Sequence, residues 1–288
     1  MRILVTGGDG MVGSAVVRHL LATGHEVTTL SLPGVTPHDG VRVVYGDARS
    51  PGAVAAAVDG ADAVAHLAAI PNPLDDPAPT VFANNTQATF TVLWTAAEHG
   101  VRRFAIASSV SAAGRSFNPH RPLPAAYPVD ESMPADLGDP YGLSKHVDEL
   151  TLATVCRRFG ASGVALRLPL MIAPTNLAFM RRVTAEDPGG EAGNGWAWLD
   201  VRDGAEAFRL ALTVPLDGST GGAHTVHLAA AEIFPEGAST EELLARHAPG
   251  VPRRRSFAAR EVPVDTGRAC ALLGFDPVHR VPDPGTSP

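Results

Sequence analysis

A chain of 288 residues with 45% apolar and 18% charged side chains can bury a full core, which excludes an intrinsically disordered protein. Its formal net charge of -7 argues against a nucleic-acid partner, because phosphate binding needs a basic face. No apolar stretch is long enough to cross a bilayer, so no membrane partner is expected.

Met1 leads directly into a strand-like run over 2–6, without a secretory leader, so a cytoplasmic protein is expected. A helical pattern over 11–23 follows and stops at Gly24. Val27–Leu30 and Val41–Tyr45 read as the next strands, then a helix over 51–58 and a strand at Ala63–Leu67. Residues 79–99 form a long, almost uncharged helix ending at Gly100, and Phe104–Ala107 is another buried strand. A helix over 140–159 ends at Gly160, with Gly163–Arg167 as the strand after it. Strands without polar alternation, each followed by a helix, predict an α/β fold with a doubly wound parallel sheet.

After Arg167 this alternation stops. Residues 168–195 are rich in Pro, Gly and Asn, and regular patterns return at Trp196–Val201, Ala205–Thr213, Thr225–Leu228 and Thr240–Arg246. The expected division is a nucleotide-binding domain over 1–167 and a small C-terminal substrate-binding lobe over 168–288. That lobe is interleaved with the last sheet elements, and 276–288 form an extended tail. Cys156 and Cys270 are expected as buried free thiols on helices. The 11 histidines form no HExxH or similar cluster, so no metal site is predicted.

Thr6-Gly7-Gly8-Asp9-Gly10-Met11-Val12-Gly13 joins the first strand to the first helix. Gly7 permits a tight turn, Gly10 lets the backbone approach a pyrophosphate, and Gly13 allows close packing of helix on strand. The helix N-terminus then faces the anion. In a strand–loop–helix context this pattern marks a Rossmann-type dinucleotide site. The second strand ends at Ser31 rather than at the acid expected to hold a ribose, and no Arg or Lys lies between Arg18 and Arg42. The coenzyme is therefore NAD or NADP. Asp47, after the third strand, could reach the adenine amino group or close a strand-end turn.

Every basic side chain but one is Arg; the exception is Lys145, four residues after Tyr141 on a helix. That spacing puts the two on one face, a turn apart. A phenol is a poor base at neutral pH, and a neighbouring ammonium favours its ionised form. The ammonium can also hold ribose hydroxyls. Ser109, at the C-terminal edge of its strand, could orient the reacting oxygen toward Tyr141.

Together these motifs resemble the extended short-chain dehydrogenase/reductase family of the NAD-dependent epimerase/dehydratase type. The likeness rests on Thr6–Gly13, Gly46-Asp47, His66-Leu67-Ala68-Ala69, Asn85-Thr86, Ser108-Ser109, Tyr141–Lys145 and Leu166–Pro169, and continues through Asp200–Asp203 and Leu273-Gly274-Phe275. It implies a catalytic Ser109–Tyr141–Lys145 triad. The coenzyme set it implies is Gly7, Gly10, Met11, Val12, Gly13, Ser31, Asp47, Ala48, Leu67, Ala68, Ala69, Asn85, Tyr141, Lys145 and Leu168. It also implies a homodimer formed through two helices, which the almost uncharged helix over 79–99 would suit. One departure is Ala113, before Gly114, where many relatives have Tyr.

The short run from Arg167 to Trp196 favours a small substrate over a sugar nucleotide. It resembles compact uronate dehydrogenases, as do Ser108-Ser109 and the Pro-rich stretch before Tyr141. The segment Arg115–Gly138 is long enough to cover an active site. Asn72, Ser109, Asn118, His120 and Arg167 are candidates for contact with substrate hydroxyls or a carboxylate, and Arg202 is expected in a local ion pair. The expected function is hydride transfer at a carbinol or carbonyl carbon of a sugar, uronic acid or cyclitol. The alternatives are a sugar-nucleotide epimerase or dehydratase with retained NAD, and a non-catalytic coenzyme sensor.

Overall fold

Ile3, Leu4 and Val5 of β1 (Arg2–Thr6) are all buried, as a strand covered on both faces requires. The computed structural model describes residues 1–216 and 222–281. After β1 come α1 (Met11–Ala22), β2 (Glu26–Ser31), β3 (Arg42–Tyr45), α2 (Pro51–Val58) and β4 (Ala63–His66). Then follow α3 (Ala78–Glu98), β5 (Arg103–Ser109), α4 (Pro140–Phe159), β6 (Ser162–Leu168) and β7 (Leu170–Ile172). The remainder is α5 (Leu177–Glu186), β8 (Trp198–Asp200), α6 (Val201–Thr213), β9 (Ala223–His227), α7 (Thr240–His247) and α8 (Gly267–Leu273).

Seven strands form one parallel sheet in the order β3-β2-β1-β4-β5-β6-β9. The direction of strand addition reverses between β1 and β4, which opens a crevice above their C-terminal ends. On one face, Val16 and Leu20 of α1, Phe208 of α6 and Leu273 of α8 pack with Val5 and Leu166. On the other, Val54 of α2, Leu93 of α3 and Leu152 of α4 pack with Leu4 and Phe104. Each such side chain contributes about 1.5–3 kcal/mol by leaving water, so the sheet and its crevice are rigidly supported.

A separate cluster joins Tyr127, Met133, Trp196, Ile233, Leu244 and Phe257. Tyr127 and Val129 precede α4 in sequence, yet they bridge to Arg253 and Val264. The core of the C-terminal lobe thus draws on chain from before residue 168 as well as after it.

Several elements differ from the sequence reading. Trp196 lies outside any strand: its φ is +52° and its indole donates to the Pro188 carbonyl at 2.6 Å, so β8 starts at Trp198. Val201 opens α6, because the Asp200 carboxylate accepts from the Arg202 N–H and caps the helix. Arg202 makes the expected local ion pair, with Asp200 at 2.8 Å. The strand β7 and the helix α5 fall where no element is predicted, and α5 buries none of its residues, while α8 is the helix expected around Cys270. Cys156 is buried, but Cys270 is exposed between Ala269 and Leu273, the buried positions of α8. Residues 276–281 have no helix or strand, and the rest of the expected tail lies outside the described residues. No described helix is long and apolar enough to cross a membrane.

Candidate active site

The loop between β1 and α1 is shaped by what cannot fit beside it. Gly7 has φ +70°, and a Cβ there would stand 2.6 Å from the Ala68 nitrogen. A Cβ on Gly13 would stand 2.0 Å from the Gly7 carbonyl oxygen. Helix α1 can therefore press against the loop only with glycine at both places. Gly10 caps α1 with no side-chain bond to the first-turn N–H groups, and Gly10 through Gly13 line a cavity of about 500 Å³ above the sheet. Uncapped N–H groups beside an open cradle fit a pyrophosphate. His38, which no sequence pattern marks, steadies the loop through Nε2 at 3.0 Å from the Gly8 carbonyl.

At the end of β2 the Ser31 side chain is buried with an unpartnered hydroxyl, which fits a ribose hydroxyl as its missing partner. Asp47 is held by Arg49, with the closest contact at 2.6 Å, and this pairing keeps its carboxyl below the usual range. Ala48 packs against the core beneath β3.

Tyr141 and Lys145 reach the same cavity from α4. The helix begins there because Pro140 occupies its first turn and the Asp139 carboxylate accepts from the Gly142 N–H at 2.7 Å. A Cβ on Gly142 would come within 2.6 Å of the Ser111 carbonyl, so glycine lets the helix approach the turn after β5. Tyr141 is buried, with Phe117 edge-to-face at 5.8 Å. Lys145 Nζ donates to the Ala107 carbonyl at 3.0 Å and lies 5.8 Å from the Tyr141 ring centre. Ser109 ends β5, and its Oγ accepts from the Ser111 N–H at 3.0 Å.

Behind this wall runs a buried polar chain in which Asp148 and Thr89, outside every sequence motif, join the motif residues Lys145, His66 and Thr6. Lys145 Nζ is 3.3 Å from Asp148 Oδ2, and Asp148 also bonds Thr89. Thr89 Oγ1 is 3.1 Å from His66 Nε2, and His66 Nδ1 is 2.7 Å from Thr6 Oγ1. Burial, with Lys145 adding to it, pushes His66 down to about 3, so the ring is neutral. Burial raises the Asp148 carboxyl against the opposing pull of Lys145 and Thr89.

Of the residues singled out from sequence, Gly7, Gly10, Met11, Val12, Gly13, Leu67, Ala69, Asn72, Ser109, Tyr141, Lys145 and Leu168 share the cavity wall. Ala68 flanks Gly7, while Ser31, Asp47 and Ala48 stand beyond the wall at the ends of β2 and β3. Asn85 is fully buried and does not line the cavity; it holds Ile70 N–H and C=O and the Ser144 hydroxyl. Three substrate candidates also stand off the cavity wall. Asn118 is spent on the Gly114 and Asp136 carbonyls, and His120 is exposed beyond it. Arg167 is buried in a two-pronged pair with Glu149 at 2.9 Å, a group that also accepts from Ser108. The wall instead gains Ser111, Ser116, Phe117, Asn176 and Glu191 from turns and irregular segments, and Met180 from α5.

With this geometry in place, comparison with known proteins is decisive for family. The pattern of the NAD dependent epimerase/dehydratase family matches residues 3–227. The chain belongs to this family. A 3 beta-hydroxysteroid dehydrogenase/Delta 5-->4-isomerase of Mycobacterium tuberculosis is 38% identical over 118 residues, covering 38% of this chain and 32% of that protein. The chain thus matches only about a third of that curated relative's length. A 2-alkyl-3-oxoalkanoate reductase of Stenotrophomonas maltophilia is 28% identical over 282 residues, 95% of this chain and 83% of that protein. Among solved structures, a short-chain dehydrogenase/reductase superfamily protein from Agrobacterium tumefaciens with bound NAD aligns with TM-score 0.70. It is 25% identical, covering 98% of this chain and 94% of that one.

Proposed function

We propose that the chain is an NAD-dependent oxidoreductase acting at a carbinol or carbonyl carbon of a small polyhydroxylated compound, in the class of sugars, uronic acids and cyclitols. The observation that carries this reading is the meeting of Ser109, Tyr141 and Lys145 with the glycine loop on one cavity wall. When bound, the nicotinamide ring accepts or returns the hydride. Tyr141 takes the hydroxyl proton as the carbonyl forms and gives it back in reduction, a role worth about 10²–10⁴-fold in rate. Ser109 directs its hydroxyl at the reacting oxygen, and Lys145 brings a positive charge beside the Tyr141 ring. The Phe117 ring packs edge-to-face on Tyr141 and fixes its position at the cavity wall.

Asp47 supports NAD over NADP, because it neutralises the guanidinium of Arg49. Residues 1–167 hold the coenzyme and 168–288 supply the substrate side, with Ser116 and Phe117 crossing over to it. The exposed Phe90 of α3 and Leu143 and Leu150 of α4 offer an apolar face for a homodimer. The free thiols Cys156 and Cys270 suit the reducing cytoplasm.

The test is the coenzyme content of the purified protein, released by denaturation and identified by mass. The proposal expects an emptied protein that binds added NAD reversibly and reduces it with a polyol or sugar. Near-stoichiometric retained NAD, with no net reduction but interconversion of sugar nucleotides, would support the epimerase reading instead.

A further inference from the structure

The substrate side of the cavity carries one acid and no base beyond Lys145. Among the described residues, Glu191 and Lys145 are the acidic and basic side chains on the wall, and Lys145 is bound at the sheet edge by Ala107 and Asp148. The guanidinium groups near this end are engaged away from the cavity: Arg121 with Asp187, Arg181 with Glu236, and Arg167 with Glu149. Arg115, beside Ser116, is buried close to Tyr127 and Asp136 and does not reach the wall.

Glu191 is also held in place. Its Oε2 accepts from Asn194 Nδ2 at 3.1 Å, and the same amide donates to Ser116 Oγ at 2.8 Å. Asn194 is 4% exposed, so it cannot swing away from either partner. The turn that carries Glu191 and Asn194 is pressed against the segment that carries Ser116. A Cβ on Gly193 between them would meet the Pro122 carbonyl at 2.9 Å and Arg115 Cβ at 3.1 Å. Two chain segments are thereby locked so that a carboxyl and a hydroxyl stand side by side.

We propose that Glu191, with Asn194 and Ser116, selects an uncharged hydroxylated substrate and rejects a carboxylate or a diphosphate at this end of the cavity. The inference narrows the hydride-transfer reading above and rests on it. A sugar or cyclitol hydroxyl can donate to Glu191 and accept from Ser116, so both wall groups stay satisfied. Burial raises the Glu191 carboxyl, opposed by Asn194, and the charge of Asp187 pushes the same way as burial. A hydroxyl suits either form of that carboxyl, because it donates to the anion and accepts from the acid. An anionic substrate group would lose its water next to a carboxyl and find no counter-ion. Uronic acids and nucleoside-diphosphate sugars are disfavoured together.

The experiment uses the NAD-loaded enzyme and matched probes: glucose against glucuronate, galactose against galacturonate, and UDP-glucose. Binding is read by calorimetry and turnover by NADH formation. The neutral member of each pair is expected to bind and react at least about tenfold better than its uronate, and UDP-glucose is expected to bind more weakly than the neutral sugars. Glu191→Gln, an isosteric change, is expected to bring the neutral-to-uronate ratio toward one while the NAD dissociation constant stays within about twofold. Preference for a uronate or UDP-glucose, an unchanged ratio in Glu191→Gln, or failure of every neutral sugar to bind would overturn the inference. Ordered binding without any NADH formation would instead leave the selectivity standing and remove the hydride-transfer reading.

Discussion

Asp148 reaches the Lys145 ammonium from the next turn of α4, at 3.3 Å, while its second carboxylate oxygen has no partner. Both side chains are almost entirely buried, at 5% and 2% exposure. The carboxyl therefore acts through Lys145 as a positioning residue and sets the charge around it. Asp148→Asn keeps the shape and removes that charge. The expected result is a fall in kcat of about tenfold, with NAD affinity little changed. The surroundings also become more positive, so the pH of half-maximal oxidation should fall. A pH–rate profile that does not move would mean that Asp148 serves packing alone.

Two glycines of the coenzyme loop should separate folding from binding. Gly13→Ala places a Cβ 2.0 Å from a carbonyl oxygen and is expected to cost about 1–3 kcal/mol of stability. At Gly10 the nearest atom to a new Cβ is 3.5 Å away, an ordinary contact, so Gly10→Ala should fold. Its methyl would occupy the cradle, and NAD affinity should fall by about tenfold or more with the melting temperature nearly unchanged. Thermal unfolding and NAD titration of the two variants check this pair of outcomes.

The α/β alternation and the paired Tyr141 and Lys145 were legible because each rests on local chemistry: apolar runs, a helix start and a four-residue spacing. The glycine loop was legible for a related reason, since its φ and close-contact demands leave few other residues possible. Arg167 and Asn118 look like substrate ligands in sequence because charge and polarity carry no address. Only the fold shows that Glu149 and two backbone carbonyls have claimed them. Glu191, Asn194 and Ser116 carried no signal, since their meeting depends on two irregular segments separated by most of the lobe's entry. Trp196 read as strand because its apolar neighbours outweighed the left-handed turn that Asn194-Gly195 announces.

The Arg167–Glu149 pair gives a stability expectation. Both side chains are about nine-tenths buried, at 8% and 10% exposure, and Ser108 adds a hydrogen bond to the same carboxylate. Glu149→Ala strands a buried guanidinium between the strands and should cost about 3–5 kcal/mol, read by denaturant unfolding. Loss below about 1 kcal/mol would show that Arg167 finds other partners.

Two buried histidines make the fold sensitive to acid. Burial holds His66 and His227 at about 3, with Lys145 contributing at the first and Arg167 and Arg115 at the second. The unfolded chain binds protons at these rings below its ordinary histidine value, while the native chain does not until about pH 3. Stability is therefore complete above about pH 6.5 and declines as pH falls toward 3, by up to about 1.4 kcal/mol per pH unit for each ring. Unfolding free energies across this window should show the decline, and a His227→Gln variant should show a shallower one.

The most direct measurement is steady-state NAD reduction by Tyr141→Phe beside the wild type, on the best neutral substrate, with NAD binding measured on the same preparations. Removing one hydroxyl leaves the ring packed on Phe117 and the coenzyme cradle intact. A loss of about 10²–10⁴-fold in kcat with NAD affinity retained is the expected result. Turnover within a few-fold of the wild type would contradict the assignment of Tyr141 as the proton-transferring group.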